Sequence, residues 1–322
     1  MKPGTARAGR LGLAAVGAAV LVAQLVVWLP VHARRADVAW MDVSVYLRVA
    51  RHAAAGEPLY DECKTFHLGD PPSCFYYPPV LAVALMPLAR AAPATAQAVW
   101  YAGELVAFWL FAFGLVRLAG MRTTALHVLA AGALVELFPG TVVTMSLGNV
   151  DLWVWALCAL ALGGRGAGAM GLAAALKVYP AWGVATALAR RTPSAWRGVA
   201  LAVVACAAAA LVVGVRGFRD WTLGLGVLAS GLRVPTNVSL SLALASLVGA
   251  GSAFLVAAPL VGPPLVAVVT RRLDARVSIG LVLVASVLLA PLCWWYYAPI
   301  LLIPGAAAWR ARSATEAIRR QV

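Results

Sequence analysis

The chain has 322 residues, of which 63% are hydrophobic and only 12% are charged, with a net charge of +14. An average soluble domain is about 45–50% apolar and about 25% charged, so this composition excludes a soluble domain and predicts an integral membrane protein. The basic residues stand at the ends of hydrophobic segments, as in membrane proteins generally, which argues against a nucleic-acid partner.

The first hydrophobic segment, 11–31, predicts a membrane helix. Its apolar stretch of about 19 residues is longer than the apolar core of a cleaved signal peptide. Cleavage after Val31-His32-Ala33 is the alternative, but we expect the helix to be retained. Long apolar runs without alternation indicate helices rather than the strands of a membrane barrel.

Ten more hydrophobic segments follow: 78–92, 96–117, 124–143, 149–163, 167–188, 198–215, 239–250, 252–270, 277–292 and 296–309. A spanning helix needs roughly 20 apolar residues, so 78–92, 239–250 and the Pro180-broken 167–188 predict re-entrant or broken helices. If these three do not span, the arginine clusters all face the cytoplasm. The sequence therefore predicts one all-α, membrane-embedded domain over 1–322, a polytopic transmembrane helical bundle.

The segment 32–77 is the one long hydrophilic stretch, and it holds half of all Asp and Glu residues. The arginine distribution predicts that this loop is extracytoplasmic. Apolar and basic positions at helical spacing over 45–55 predict a short amphipathic helix at the membrane surface. Cys63 and Cys74 both lie in the loop, where oxidising conditions favour a disulfide between them; two free thiols are the alternative.

Two motifs flank this amphipathic segment. Asp42 stands about ten residues after the first helix, where a carboxylate could act as general base on a sugar hydroxyl or simply cap a helix. Tyr77-Pro78-Pro79 opens the next hydrophobic segment. Interfacial aromatic residues usually form a belt and proline often starts a helix, so the residues alone favour a structural role for Tyr77.

Polar residues within hydrophobic segments are costly and suggest binding sites. Gly148-Asn149-Val150-Asp151 lies at the break between two hydrophobic segments. Asn149 is either a ligand-binding residue or a helix cap. Lys177 lies near the middle of an apolar stretch and is one of only three lysines. A buried ammonium needs an anionic partner such as a phosphate, although snorkelling to the interface is the alternative.

Two later segments are also candidates for binding. Asn237 begins a short hydrophobic segment, and Trp294-Trp295-Tyr296-Tyr297 is a dense aromatic cluster between two helices. The cluster is either belt packing or a platform for a sugar or prenyl chain. The remaining cysteines lie in or beside apolar segments, which indicates that they are inert packing residues. No cysteine–histidine spacing matches a common zinc pattern, so we expect no metal.

The order of these motifs resembles that of glycosyltransferase family 87, membrane mannosyltransferases of the GT-C superfamily found in actinobacteria. The matching pieces are Asp42 with Tyr46, Gly56 to Tyr60, Tyr77-Pro78-Pro79 with Pro87-Leu88, Gly148-Asn149, Gly171 to Pro180, and Asn237 to Leu240. The chain departs from the family pattern at Val238, where Gln is usual, and at 295–297, where the family often has a His.

The resemblance implies a GT-C-like enzyme of the plasma membrane with an extracytoplasmic active site. Such an enzyme moves a sugar, usually mannose, from a polyprenyl-phosphate donor to a lipid or glycan acceptor with inversion. Asp42 would be the catalytic base, and Lys177 would stabilise the leaving phosphate. The residues then expected to bind substrate are Tyr46, Tyr77, Asn149, Lys177, Asn237, Trp295 and Tyr296. The sequence contains no nucleotide-binding loop, in agreement with a lipid-linked donor, and no cofactor is expected.

Other classes of function stay open from the residues alone. A secondary transporter or lipid-linked sugar flippase commonly has broken helices at equivalent positions in two halves, and the sequence has no such pairing. A third hypothesis is that the protein is a non-catalytic assembly subunit. The acidic outward loop favours the enzyme.

Overall fold

The computed structural model describes residues 3–34, 42–61, 74–164, 167–192, 195–229, 237–249 and 251–319. The α-helices are, in chain order, α1 Pro3–Ala23, α2 Leu29–Arg34, α3 Asp42–Ala55, α4 Pro79–Ala89, α5 Pro93–Leu118, α6 Ala125–Glu136, α7 Pro139–Leu147, α8 Asp151–Leu162, α9 Ala167–Leu176, α10 Pro180–Ala189, α11 Ala195–Ala229, α12 Leu240–Val248, α13 Ser252–Val269, α14 Ala275–Leu288 and α15 Leu302–Arg319. A π-helical turn, Gln24–Trp28, joins α1 to α2, and a 3-10 helix, Trp295–Leu301, precedes α15. Within the described ranges there is no strand, only a bridge between Asn237 and Trp294.

Three helical stretches of the described chain are long and apolar enough to cross a membrane. They are Leu11–Arg34, Pro93–Leu118 and Ala195–Leu225. A fourth crossing results if α6 and α7, which meet at 86°, form one broken span. This count follows from helix length and composition. The prediction of an all-helical membrane bundle is confirmed.

The three segments that were expected not to span contain only short helices. α4 has 11 residues and α12 has 9, while 167–188 divides into α9 and α10 with 10 residues each. All are shorter than the roughly 20 residues that a crossing needs. Pro180 is the first residue of α10, a position where its missing amide hydrogen costs no helical bond. The chain therefore bends at 177–179 and carries Lys177 at the bend.

The amphipathic helix that the sequence predicted is present as α3. Val43, Tyr46 and Ala50 lie on its buried face, and Arg51 is exposed. The buried face packs against α4 and against Phe75. Asp42 is the first residue of α3, where a negative charge is favoured by the helix dipole. Residues 35–41 and 62–73 of the predicted loop lie outside the described residues.

α5 is the central helix of the main core and packs along α8. Phe108 and Phe111 on α5 and Trp155 on α8 are fully buried. The rings of Phe111 and Trp155 lie 6.0 Å apart. A Cβ added at Gly103 would lie 3.3 Å from the Trp153 side chain, and one at Gly114 would lie 2.8 Å from Ala159 Cβ. The contacts follow the same order along both helices, so α5 and α8 run parallel and finish at the same end of the bundle.

Arginine side chains join the loops at the end where α5 and α8 finish. Arg276 Nε donates to the Leu162 carbonyl at 3.0 Å, and Arg310 Nη1 donates to the Arg117 carbonyl at 3.5 Å. Helix C-termini attract cations, so these contacts suit the ends of α5 and α8. Arg190 Nη2 likewise donates to the Leu273 carbonyl at 2.7 Å. We call this the arginine end of the bundle.

Candidate active site

Asp42 and Asn149 meet at the end of the bundle opposite to the arginine end. Asn149 Nδ2 donates to Asp42 Oδ2 at 2.5 Å, although the residues are 107 positions apart. The same nitrogen lies 3.3 Å from the Tyr77 hydroxyl. Asn149 Oδ1 accepts a hydrogen bond from the backbone N–H of Asp151 at 2.9 Å. Asn149 therefore braces the start of α8 and orients Asp42 with one amide group.

A break between α7 and α8 lets Asn149 face Asp42. Gly148 ends α7 with a φ of +65°, a conformation that favours glycine. Its carbonyl accepts a hydrogen bond from Trp100 Nε1 at 2.9 Å. A Cβ added at Gly148 would lie 2.9 Å from Val43 Cβ and 3.0 Å from Trp100 Nε1. Glycine is needed here both for the turn and for the close approach of α3.

We expect Gly148→Ala to destabilise the protein and to displace α3. The left-handed conformation costs about 1–2 kcal/mol and the forced overpacking about 1–3 kcal/mol. Thermal unfolding of the purified variant in detergent measures the loss. Gly56→Ala is the matched control, because Gly56 has a φ of +71° with nothing within 4 Å of its added Cβ. Equal losses in both variants would contradict the close packing of α3 on Gly148.

The Lys177 ammonium lies inside the protein, against a carboxylate and tyrosine rings. Nζ donates to Asp151 Oδ2 at 2.6 Å and to the Tyr297 hydroxyl at 3.0 Å. It lies 4.4 Å from the centre of the Tyr297 ring and 5.2 Å from that of Tyr77. The Lys177 side chain is 18% exposed and that of Asp151 is 1% exposed. The ammonium thus points to an internal carboxylate instead of reaching out to a water interface.

Tyr77 and Asn149 connect the Asp42 half of the site to the Lys177 half. The Tyr77 hydroxyl faces Asn149, and its ring faces Lys177. Tyr46 supports this arrangement from within the protein: it is completely buried, and its ring lies 5.0 Å from that of Tyr77. The Tyr46 hydroxyl accepts a hydrogen bond from the backbone N–H of Val150 at 3.5 Å. We call Asp42, Tyr77, Asn149, Asp151, Lys177 and Tyr297 the polar cluster.

Asn237, Trp295 and Tyr296 occupy different surroundings. The Asn237 amide binds backbone, since Nδ2 donates to the Pro291 carbonyl at 3.0 Å and Oδ1 accepts from the Cys293 N–H at 2.9 Å. This fastens the start of α12 to the turn before Trp295–Leu301. Tyr296 is buried, with its ring 5.1 Å from that of Tyr297 at the border of the polar cluster. Trp295 is 43% exposed and contacts Tyr296 edge-on at 6.2 Å.

The polar cluster also contains two residues that were not predicted to bind substrate. Asp151 and Tyr297 lie in the same two motifs as Asn149 and Tyr296, and only Asn149 and Tyr296 were predicted to bind substrate. The lone Lys177 was the signal that could have identified Asp151. A buried ammonium requires a carboxylate, and Asp151 is an acidic residue at a break in the hydrophobic pattern.

The Asp42 carboxyl lies in α3, outside the membrane-spanning segments, and its surroundings alter its acidity. Burial raises the pKa of Asp42 from 3.8 to about 6. The hydrogen bond from Asn149 and the charge of Lys177 oppose this rise, and the charge of Asp151 adds to it. A carboxyl with a pKa near 6 is ionised at neutral pH and is a stronger base than an ordinary aspartate.

Cys74 is disulfide-bonded, whereas Cys158, Cys206 and Cys293 are free. Cys63 lies outside the described residues, so its pairing with Cys74 stays a prediction that mass spectrometry of the non-reduced protein can test. In the described part of the chain, no three His, Cys, Asp or Glu side chains are grouped so as to hold a metal ion.

A family model described as glycosyltransferase family 87 matches residues 75–317, which is well over half of the chain. The chain belongs to glycosyltransferase family 87. The match includes Tyr77, Asn149, Asp151 and Lys177 but begins after Asp42, which is tied to the matched part through Asn149. No curated protein and no solved structure matches the chain. Membership in family 87 makes the protein a glycosyltransferase, and its apolar helices place it in a membrane.

Proposed function

We propose that this family 87 enzyme transfers a sugar, mannose in the first instance, from a polyprenyl phosphate to a lipid or glycan acceptor. The reaction is a single displacement at the anomeric carbon, carried out at the outer face of the plasma membrane. The observation that carries the proposal is that one hydrogen-bond network joins a carboxylate, Asp42, to an internal ammonium, Lys177, through Asn149 and Asp151.

Asp42 is the base in this proposal. A sugar or lipid hydroxyl is a weak nucleophile until its proton is removed, and a positioned carboxylate with a raised pKa removes it effectively. Asn149 fixes one carboxylate oxygen at 2.5 Å. The position of Asp42 at the first turn of α3, partly exposed, lets the acceptor approach from outside the bundle.

Lys177 receives the donor phosphate. When the bond between sugar and phosphate breaks, negative charge grows on the leaving oxygen, and a fixed cation stabilises that charge more than it stabilises the intact donor. A polyprenyl phosphate is a stable leaving group that needs no protonation. The apolar helices around the site suit a donor whose chain stays in the lipid phase.

The arrangement of carboxylates supports a single displacement. A double displacement needs a second carboxylate free to attack the anomeric carbon, as in retaining glycosidases. The second carboxylate of the polar cluster, Asp151, is bound to Lys177 at 2.6 Å and is almost completely buried. Asp42 is left to activate the acceptor, and one attack inverts the configuration.

The distribution of arginine supports the proposed side of the membrane. Arginine is retained on the cytoplasmic side of membrane proteins. The arginine end holds Arg117, Arg190, Arg276 and Arg310, and the polar cluster lies at the opposite end of α5 and α8. This distribution supports an outward-facing polar cluster, on the side where polyprenyl-phosphate sugars replace nucleotide sugars as donors.

The donor class can be tested with the purified protein in detergent or vesicles. We expect label to pass to an acceptor lipid extract from mannosyl polyprenyl phosphate and not from a nucleotide-linked mannose. Transfer from the nucleotide sugar alone, or from neither donor with any extract, would contradict the proposed function. ATP-independent movement of intact labelled lipid across vesicles without transfer would favour the flippase.

The pH dependence of turnover follows from the raised pKa of Asp42. Only the ionised carboxylate accepts a proton, so we expect kcat to fall as the pH is lowered through about 6 and to level off above it. A profile of kcat against pH between 4.5 and 8, at saturating donor and acceptor, measures this fall. A fall in kcat centred near the ordinary aspartate value of 3.8 would contradict the half-buried, desolvated setting of the Asp42 carboxyl.

A further inference from the structure

Asp151 forms a close ion pair with Lys177 within the polar cluster. Its Oδ2 lies 2.6 Å from Lys177 Nζ, and its side chain is 1% exposed. Its backbone N–H is held by Asn149 Oδ1 at 2.9 Å, so the start of α8 is fixed relative to Asp42. Asp151 itself faces inward and has no open path to an acceptor hydroxyl.

Stability alone does not account for this ion pair. Removing two charges from water is expensive, and replacing a buried pair with apolar residues of similar volume is often neutral or stabilising. The pair is therefore better explained by what it does to the ammonium than by what it adds to folding.

The contacts of Lys177 limit how its ammonium can turn. An ammonium has three N–H donors. Asp151 Oδ2 accepts one and the Tyr297 hydroxyl accepts a second, at 3.0 Å. The ring of Tyr77, 5.2 Å away, flanks the same group. Among the described residues no acceptor for the third N–H is found, on an ammonium whose rotation is fixed by two hydrogen bonds and whose side chain is 18% exposed.

We propose that Asp151 is a positioning residue, which holds the Lys177 ammonium so that its third N–H is presented to the phosphate of the sugar donor. This inference rests on the proposed function, because it assigns Lys177 to the donor phosphate. Asp151 touches neither substrate. It acts through Lys177, keeping the lysine side chain oriented before the donor arrives.

A double-mutant cycle with Lys177 tests this role. We expect Asp151→Asn to lower kcat/KM for the donor about ten- to hundredfold, the effect of losing one charge-assisted hydrogen bond, and to leave the acceptor KM unchanged. In a Lys177→Met background the same substitution should change kcat/KM by less than about twofold, because its effect passes through Lys177. Asp151→Glu should restore part of the activity. Glu316→Gln, which removes an exposed ion pair with Arg312 at 2.9 Å, is the control.

Each outcome of this experiment bears on the inference. If Asp151→Asn is as damaging with Lys177→Met as without it, Asp151 does not act through Lys177 and the inference is wrong. If Asp151→Asn does not fold, the inference is tested by comparing kcat/KM of Lys177→Met with that of the double variant. The double variant leaves no unpaired buried charge, so it is expected to fold. If Lys177→Met has no measurable activity, failure of Asp151→Glu to exceed Asp151→Asn contradicts the inference. A wild-type protein that uses no polyprenyl-phosphate sugar contradicts the proposed function instead.

Discussion

Asp42→Asn is expected to lose sugar transfer by about 10²–10⁴-fold while still binding the donor. The amide keeps the shape of the carboxylate and can still accept a hydrogen bond from Asn149, so the polar cluster should stay in place. What disappears is the base. Initial rates of label transfer, with the donor affinity measured separately, distinguish loss of chemistry from loss of binding.

Asp274→Asn is the matched control for Asp42→Asn. Asp274 also begins a helix, since it caps α14 with Oδ1 accepting from the Arg276 N–H at 2.8 Å, but it lies at the arginine end. Asparagine caps a helix about as well as aspartate, so this variant should have wild-type activity. Turnover by Asp42→Asn within about twofold of wild type would remove Asp42 from the chemistry and leave it as a helix-start residue.

Lys177→Met is expected to lower kcat/KM for the donor by about 10²–10³-fold, the usual cost of removing one group that stabilises developing charge. Methionine keeps the length and the apolar stem of lysine. Acceptor KM should not change. Lys177→Arg should restore only part of the activity, because the planar guanidinium cannot reproduce a compact ammonium 2.6 Å from Asp151 and 4.4 Å from the Tyr297 ring.

Arg312→Met is the control for the loss of a cation, since Arg312 is exposed at the other end of the molecule. The measurement is donor-dependent initial velocity at saturating acceptor, with the folded fraction of each variant established first. Unchanged donor kinetics in Lys177→Met would mean that Lys177 has only a structural role, as the hydrogen-bond partner of Asp151 and Tyr297, and does not contact the donor.

The organisation of the fold was predictable because its signals are local. Apolar runs, arginine clusters and Pro180 identified the helical segments and the bend at 177–179. The π-helical turn at 24–28 and the 86° angle between α6 and α7 were not predicted. Both depend on packing between helices. The non-helical Gly214 within α11, with a φ of +69°, was not predicted either, and it is exposed with nothing within 4 Å of an added Cβ.

The candidate site was predictable residue by residue but not as a network. Asn149 and Lys177 stood out as polar groups within or between hydrophobic segments, where polar groups are costly, and Asp42 stood out as a carboxylate just after the first membrane helix. Their connection depends on contacts over 107 and 26 positions, which no local pattern specifies. Asn237 is a different case: its place in the family 87 pattern suggested substrate binding, and its amide binds backbone groups 54 and 56 positions away. Its role in substrate binding stays a prediction.

The configuration of the transferred sugar tests the central claim most directly. The claim is that one attack occurs at the anomeric carbon, with Asp42 activating the acceptor and Lys177 receiving the departing phosphate. The purified enzyme is given mannosyl polyprenyl phosphate labelled with ¹³C at the anomeric carbon, and the one-bond carbon–hydrogen coupling is compared in donor and product. We predict transfer with inverted configuration. Transfer with retained configuration would contradict the single displacement and assign a covalent role to a carboxylate of the polar cluster.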